Sequence, residues 1–253
     1  MSLSSYRPTP SLLFLAVSLG LATTAQAAPQ ATTLDAVQVT AADASAQARE
    51  ALKRVPGASN VIDVAKADSR LSSSADVLAY QPGISAQSPG NEGTKVSIRG
   101  SGINRGPGAH ASGIAVSIDG LPLTGPGGTP YELLEPLWLS RVEVLRGANG
   151  FERGALALGG AIDYISRSGR DSAGVQLHYE AGSRGYQKRG ISWGGVSGDV
   201  DYFLAYTDTE LDGYQRHASG DGKGAMANIG WQITPDLQTR FFVRYRETNH
   251  ETP

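Results

Sequence analysis

The 253-residue chain contains no cysteine, so disulfide staples and thiolate metal sites are excluded. Long apolar runs are missing as well. The longest, Leu12–Leu21 (LLFLAVSLGL), falls well short of the roughly 20 apolar residues a membrane-spanning helix needs. Charge of one sign is not in excess: 22 Lys and Arg stand against 24 Asp and Glu, a net of −2, which leaves no electrostatic case for nucleic acid. The four histidines, His110, His178, His217 and His250, are dispersed without an i,i+4 pair, so no metal site is expected. No Gly-x-Ser-x-Gly elbow occurs, and Lys223 in Gly-Asp-Gly-Lys-Gly lacks the rest of a phosphate-binding loop. Gly106-Pro107-Gly108-Ala109-His110-Ala111 follows no strand and opens no helical pattern, so it does not read as a dinucleotide site. Nothing supports catalysis, and neither an enzyme nor a cofactor is expected.

What is present points to export and to β-structure. Arg7, the apolar run and the small residues ending Ala25-Gln26-Ala27 have the layout of a secretory signal peptide over residues 1–27, cleaved after Ala27. Glycine is abundant, 32 of 253 residues against a usual share of about 7 %, which favours turns and strands over long helices. Residues 28–50 are rich in Ala, Thr and Gln with little to bury, and are expected to form a flexible leader. Residues 51–170 mix short apolar runs with glycine-rich loops and read as one compact unit. Residues 171–253 change to long alternating segments separated by polar turns.

The most informative stretch is 137–169, LWLSRVEVLRGANGFERGALALGGAIDYISRSG. Two runs alternating at period 2, Ser140–Leu145 and Ala161–Ser166, predict half-buried strands around a glycine-rich segment. Arg141-Val142-Glu143-Val144-Leu145-Arg146-Gly147 followed by Gly159-Gly160-Ala161-Ile162-Asp163-Tyr164-Ile165-Ser166 resembles the closing signature of the plug domain of TonB-dependent outer-membrane receptors, RVEVLRGP…YG…GGVINIITK. The chain departs from it with Ala148 in place of Pro and Arg153 in place of Tyr. Four further signals resemble the same family in the same order. Ser74–Leu78 reads as a short helix with a serine N-cap, and Tyr80-Gln81-Pro82-Gly83-Ile84 as a turn. Val96-Ser97-Ile98-Arg99-Gly100 and Ala115-Val116-Ser117-Ile118-Asp119-Gly120-Leu121-Pro122 read as a strand and a strand with its turn.

The resemblance implies an α+β plug domain, a small mixed sheet with short helices. It would be followed by the first antiparallel strands of a roughly 22-stranded transmembrane β-barrel, making the chain mostly β. It implies energy-coupled uptake of a ferric chelate, a siderophore or ferric citrate, with haem, cobalamin and other metal complexes open. Leu34-Asp35-Ala36-Val37-Gln38-Val39-Thr40-Ala41 resembles a TonB box, which engages the inner-membrane energising complex by adding a strand to the partner's sheet. The box lies a few residues past the cleavage point, so no signalling domain is expected ahead of it. Arg99 and Arg146, each beside a glycine, are surface arginines on their own. The resemblance makes them a plug–barrel lock, paired with barrel glutamates expected beyond residue 253. Loops 85–93, 101–113 and 123–131 are solvated loops or the floor of a ligand pocket, with Asn91, Asn104, Arg105, His110, Thr124 and Tyr131 as the residues of useful chemistry.

Segments 175–181, 186–193, 200–206, 225–233 and 237–246 read as about five wall strands. In 237–246, Leu237, Thr239, Phe241, Val243 and Tyr245 point one way and Gln238, Arg240, Phe242, Arg244 and Arg246 the other. Three arginines on one face need water, which a polar lumen supplies, while the other face meets lipid. The expected partners are thus TonB, outer-membrane lipid and the chelate, for a monomer in the bacterial outer membrane. A passive porin or structural barrel would have neither a TonB box nor a plug, and a soluble periplasmic binding module remains a third reading.

Overall fold

The computed structural model describes residues 41–251, apart from Pro56 and residues 67–71, 89–93, 102–112, 124–128, 148–149, 151–152, 154–156, 158 and 214–215. The first described element is a helix, α1 (Ala41–Lys53). This departs from the flexible leader expected to run to residue 50. The segment is alanine-rich, and alanine has the highest helix propensity. Its Leu52 is buried with Leu145 and Ala161, so the helix finds an apolar seat that composition alone did not reveal.

The plug domain follows. Its strands are β1 (Ala58–Asp63), β2 (Ile84–Gln87), β3 (Lys95–Ile98), β4 (Ile114–Ile118), β5 (Leu121–Pro122), β6 (Leu139–Arg146) and β7 (Gly160–Ser166). A short helix, α2 (Ser74–Leu78), precedes β2, and two single 3-10 turns, Tyr131–Leu133 and Pro136–Trp138, lead into β6. The N-cap of α2 is Ser73, which forms a reciprocal capping box with Asp76. The main sheet is mixed, in the order β1-β6-β7-β4-β5, and β2 pairs with β3 separately. Within the main sheet only β4 and β7 run parallel, which requires the long crossover that carries β5 and β6. Val142, Val144 and Ile162 are fully buried, with Leu78 and Ile98 from the flanking elements.

The second sheet is an antiparallel meander of β8 (Gly174–Ala181), β9 (Gln187–Ser197), β10 (Val200–Leu211), β11 (Gly220–Thr234) and β12 (Leu237–His250), in the order β12-β11-β10-β9-β8. All five expected wall segments are strands, and most extend further than their alternation suggested. Gly198-Asp199 and Pro235-Asp236 make tight turns at one end, while residues 182–186 and 212–219 connect strands at the other. The outer face is apolar and uncovered: Leu177, Trp193, Tyr206, Trp231, Phe241, Val243 and Tyr245 are all exposed. The inner face lies against the plug, where Trp138 of the plug is buried with Phe203, Ala205 and Met226 of the wall. A plug seated inside an antiparallel wall with an apolar exterior is the start of a plugged β-barrel. Among the described residues β8 and β12 are unpaired edges.

Candidate functional site

Motifs far apart in sequence meet around Arg99. The residue closes β3 with a left-handed backbone (φ 50°), and its amide donates to the Gly83 carbonyl at 2.9 Å. A Cβ on Gly147 would stand 3.3 Å from its Nη1, so the glycine after Arg146 leaves the Arg99 guanidinium its room. Arg146 is buried, and its Nη2 donates to Asn60 Oδ1 at 2.5 Å. Burial lowers the pKa of Arg146, and the neighbouring Arg99 cation adds to the effect. Among the described residues neither arginine forms an ion pair, and Arg146 Nε is buried without a hydrogen-bond partner. Two cations thus stand together without a carboxylate.

Of the ligand candidates, only Tyr131 is described. It is not an open loop residue as expected: it starts a 3-10 turn and is 8 % exposed, packed in the plug core. Burial raises the pKa of its phenol. The sequence from Leu133 to Leu139 is too apolar for this loop to stay in solvent, so its start is drawn inward. Asn91, Asn104, Arg105, His110 and Thr124 lie outside the described residues, as do Leu34, Asp35, Ala36, Val37, Gln38, Val39 and Thr40 of the box. Ala41 is the first residue of α1.

The dense chemistry lies elsewhere, between plug and wall. Glu135, at the N-cap of the second 3-10 turn, is 1 % exposed. Its Oε1 is 2.6 Å from Lys188 Nζ on β9, and its Oε2 accepts from Arg246 Nη1 on β12 at 2.7 Å. The Lys188 ammonium also donates to the Ser72 carbonyl at 3.0 Å, tying the approach to α2 to the same strand. Next along β12, Arg244 donates to Ser166 Oγ at the end of β7, which in turn donates to Asp119. Near the tight-turn end, fully buried Asp201 accepts from Arg240 through both oxygens, at 2.9 and 3.1 Å. Its Oδ2 also accepts from Arg170, at the end of the plug, at 3.1 Å.

The three β12 arginines therefore face inward as their alternation indicated, and carboxylate, amide and hydroxyl oxygens of the wall and plug meet them there. Glu135, Lys188 and Asp201 were missed as site residues. The available signal was a single acid inside an apolar run, Leu133-Leu134-Glu135-Pro136-Leu137-Trp138, because a charge there must be paired once buried. Arg153, which replaces the usual Tyr, lies 3.1 Å from Asp163, which stands where the family pattern has Asn. The two departures are one ion pair.

Beside Glu135 and Arg246 a cavity of about 450 Å³ opens between plug and wall. Ser74, Thr94 and Thr248 line it, together with Tyr131.

The fold and its interior contacts define a class: a plug domain held against the inner wall of a β-barrel. Residues 51–161 match the family TonB-dependent Receptor Plug Domain, and this part of the chain is such a plug. The whole has the architecture of the N-terminal portion of a TonB-dependent receptor, plug and first barrel strands. Among similar solved structures, the ferric citrate transporter FecA in its unliganded form has a TM-score of 0.64 at 17 % identity, over 83 % of this chain and 33 % of its own. The copper transporter OprC has a TM-score of 0.62 at 16 % identity, over 76 % and 30 %. FpvA of P. aeruginosa bound to heterologous pyoverdines has a TM-score of 0.61 at 21 % identity, over 77 % and 26 %. At these identities the likeness is one of fold, and the chain spans about a third of the length of these structures.

Proposed function

We propose that the chain is the plug-bearing part of a TonB-dependent receptor that takes up a ferric chelate, a siderophore or ferric citrate, across the bacterial outer membrane. The observation that carries this reading is a plug domain packed on the polar inner face of a wall whose outer face is apolar. A plug suits an energy-driven gate. Residues 34–41 are the segment that TonB grips, by strand addition. Arg99 and Arg146 are the plug side of a second lock, whose carboxylates lie elsewhere on the wall. Arg–carboxylate pairs are directional and strong, and the uncompensated pair of guanidiniums supports this assignment. Asn91, Asn104, Arg105, His110, Thr124 and Tyr131 are the candidates for the floor of the ligand site. The copper transporter among the similar folds keeps another metal complex as a second reading.

The test is Val39→Pro in the full-length receptor, which removes a backbone donor from the added strand. Uptake of radiolabelled iron chelates should stop while cell-surface binding and export continue. Uptake at the normal rate would overturn the assignment of the box.

A further inference from the structure

After α2 the chain makes two turns of the same kind in succession. In the first, the Gln81 amide donates to the Leu78 carbonyl at 3.3 Å, across Ala79 (φ −59°, ψ 144°) and Tyr80 (φ 62°). In the second, the Ile84 amide donates to the Gln81 carbonyl at 3.0 Å, across Pro82 and Gly83 (φ 71°). Both have the φ signs of a type II turn, whose third residue needs a left-handed backbone and is ordinarily glycine. The second turn has its glycine. The first has a tyrosine, and a bulky side chain in that conformation strains the backbone. Tyr80 is also fully exposed, so no contact among the described residues offsets the strain. A strained turn that presents a bare aromatic ring points to a partner for that ring.

The place of the turn in the fold indicates where the partner lies. Asn60 Nδ2 donates to Gln81 Oε1 at 2.9 Å, Asn60 Oδ1 accepts from Arg146 at 2.5 Å, and the Gly83 carbonyl accepts from the Arg99 amide. The turn is thus stitched to the two arginines that have no carboxylate. These stand at the end of the plug remote from β8–β12. The wall is met at the other end of β6 and β7, where Arg244 donates to Ser166 and Trp138 packs on Phe203. From there the eight-residue β6 runs roughly 24 Å to Arg146. A wall in lipid closes on itself, because an open edge leaves backbone groups unpaired, and both β8 and β12 are edges. The remote end of the plug therefore faces the continuation of the wall across the lumen.

We propose that Tyr80 is a docking side chain of the plug, its ring covered by the inner face of the wall that follows β12, beside the carboxylates that meet Arg99 and Arg146. A phenol suits a polar lumen face: the ring offers apolar area, and the hydroxyl can both donate and accept. The ring is held out by a strained turn because only a left-handed residue there keeps Gln81 on Asn60 and Gly83 on Arg99. This rests on reading the chain as the start of a plugged barrel.

The experiment places p-benzoylphenylalanine at position 80 of the full-length receptor, in cells that also make TonB. After irradiation, cross-links are mapped by mass spectrometry. The expected product is an internal cross-link to a wall strand that follows β12. A cross-link to TonB, one confined to residues 28–253, or none at all would each overturn the proposal. Tyr80→Gly separates docking from mere strain. Glycine fits the turn, so without a partner for the ring the plug of this variant would resist protease as well as wild type or better. With the partner, loss of the ring should speed plug cleavage several-fold, while Tyr80→Phe, which keeps the ring, should stay near wild type. Cleavage of Tyr80→Gly at or below the wild-type rate would remove the docking role. Neither readout needs transport, so the proposal can fail while the uptake test stands.

Discussion

The plug sheet and the wall sheet each have five strands, and each is inside out relative to the other. In the plug, Val142, Val144 and Ile162 are fully buried, as in any water-soluble domain. In the wall, the buried side chains include Lys188, Asp201 and Asn228, at 1, 0 and 2 % exposure, while Leu177 and Phe241 stand 79 and 66 % open. Period-2 alternation is the same in both. What differs is what each face meets: the wall's outer face is apolar and uncovered, and a plug inside makes buried charge possible only when paired. The lesson is that alternation reports two faces and does not report which of them is inside.

Three substitutions probe that inversion, in falling order of effect. Asp201→Ala leaves Arg240 and Arg170 without their shared counter-charge. It should cost about 3–5 kcal/mol, read as a lower urea midpoint and a lost heat-dependent gel shift of the full-length protein. A small effect would mean that the wall's interior charges are solvated after all. Val243→Arg places a cation on the apolar outer face and should cost about 2–3 kcal/mol near the bilayer midplane, measured by refolding into lipid vesicles. If vesicle stability does not change, that face does not meet lipid. Tyr131→Phe removes a hydroxyl from a residue packed in the plug core and should change plug stability by within about 1 kcal/mol. Protease resistance of the plug and chelate affinity should both stay near wild type. A large loss of affinity at unchanged stability would return Tyr131 to the ligand site as a direct contact.

The local signals in the sequence survive in the structure. The strand from Leu139 to Arg146 and the two faces of Leu237–His250 are where alternation and glycine placed them. Asp119 and Gly120 take consecutive left-handed conformations, φ 50° and 79°, and make the two-residue turn of the β4–β5 hairpin. Long-range pairing was not legible. No local pattern says that β4 lies parallel to β7, or that Glu135 meets cations 53 and 111 residues further along the chain. The helix Ala41–Lys53 was hidden for another reason. Its composition looked too poor in apolar residues to order, and the one seat it needed, for Leu52, is supplied by strands much later in the sequence.

Trp138 rests against β11 only because residue 224 has no side chain. A Cβ there would come within 2.8 Å of the indole and 2.9 Å of the Tyr245 carbonyl. The volume missing from the barrel is filled by the plug, so the two are cut to one another as a matched pair and not as interchangeable parts. A plug grafted from another receptor, with a smaller residue at this position, would leave a void against β11. A barrel grafted from a receptor with alanine at position 224 would not accept this tryptophan. Chimeras between receptors should therefore be designed with positions 138 and 224 exchanged together, and among natural sequences the sizes of these two residues should trade against each other.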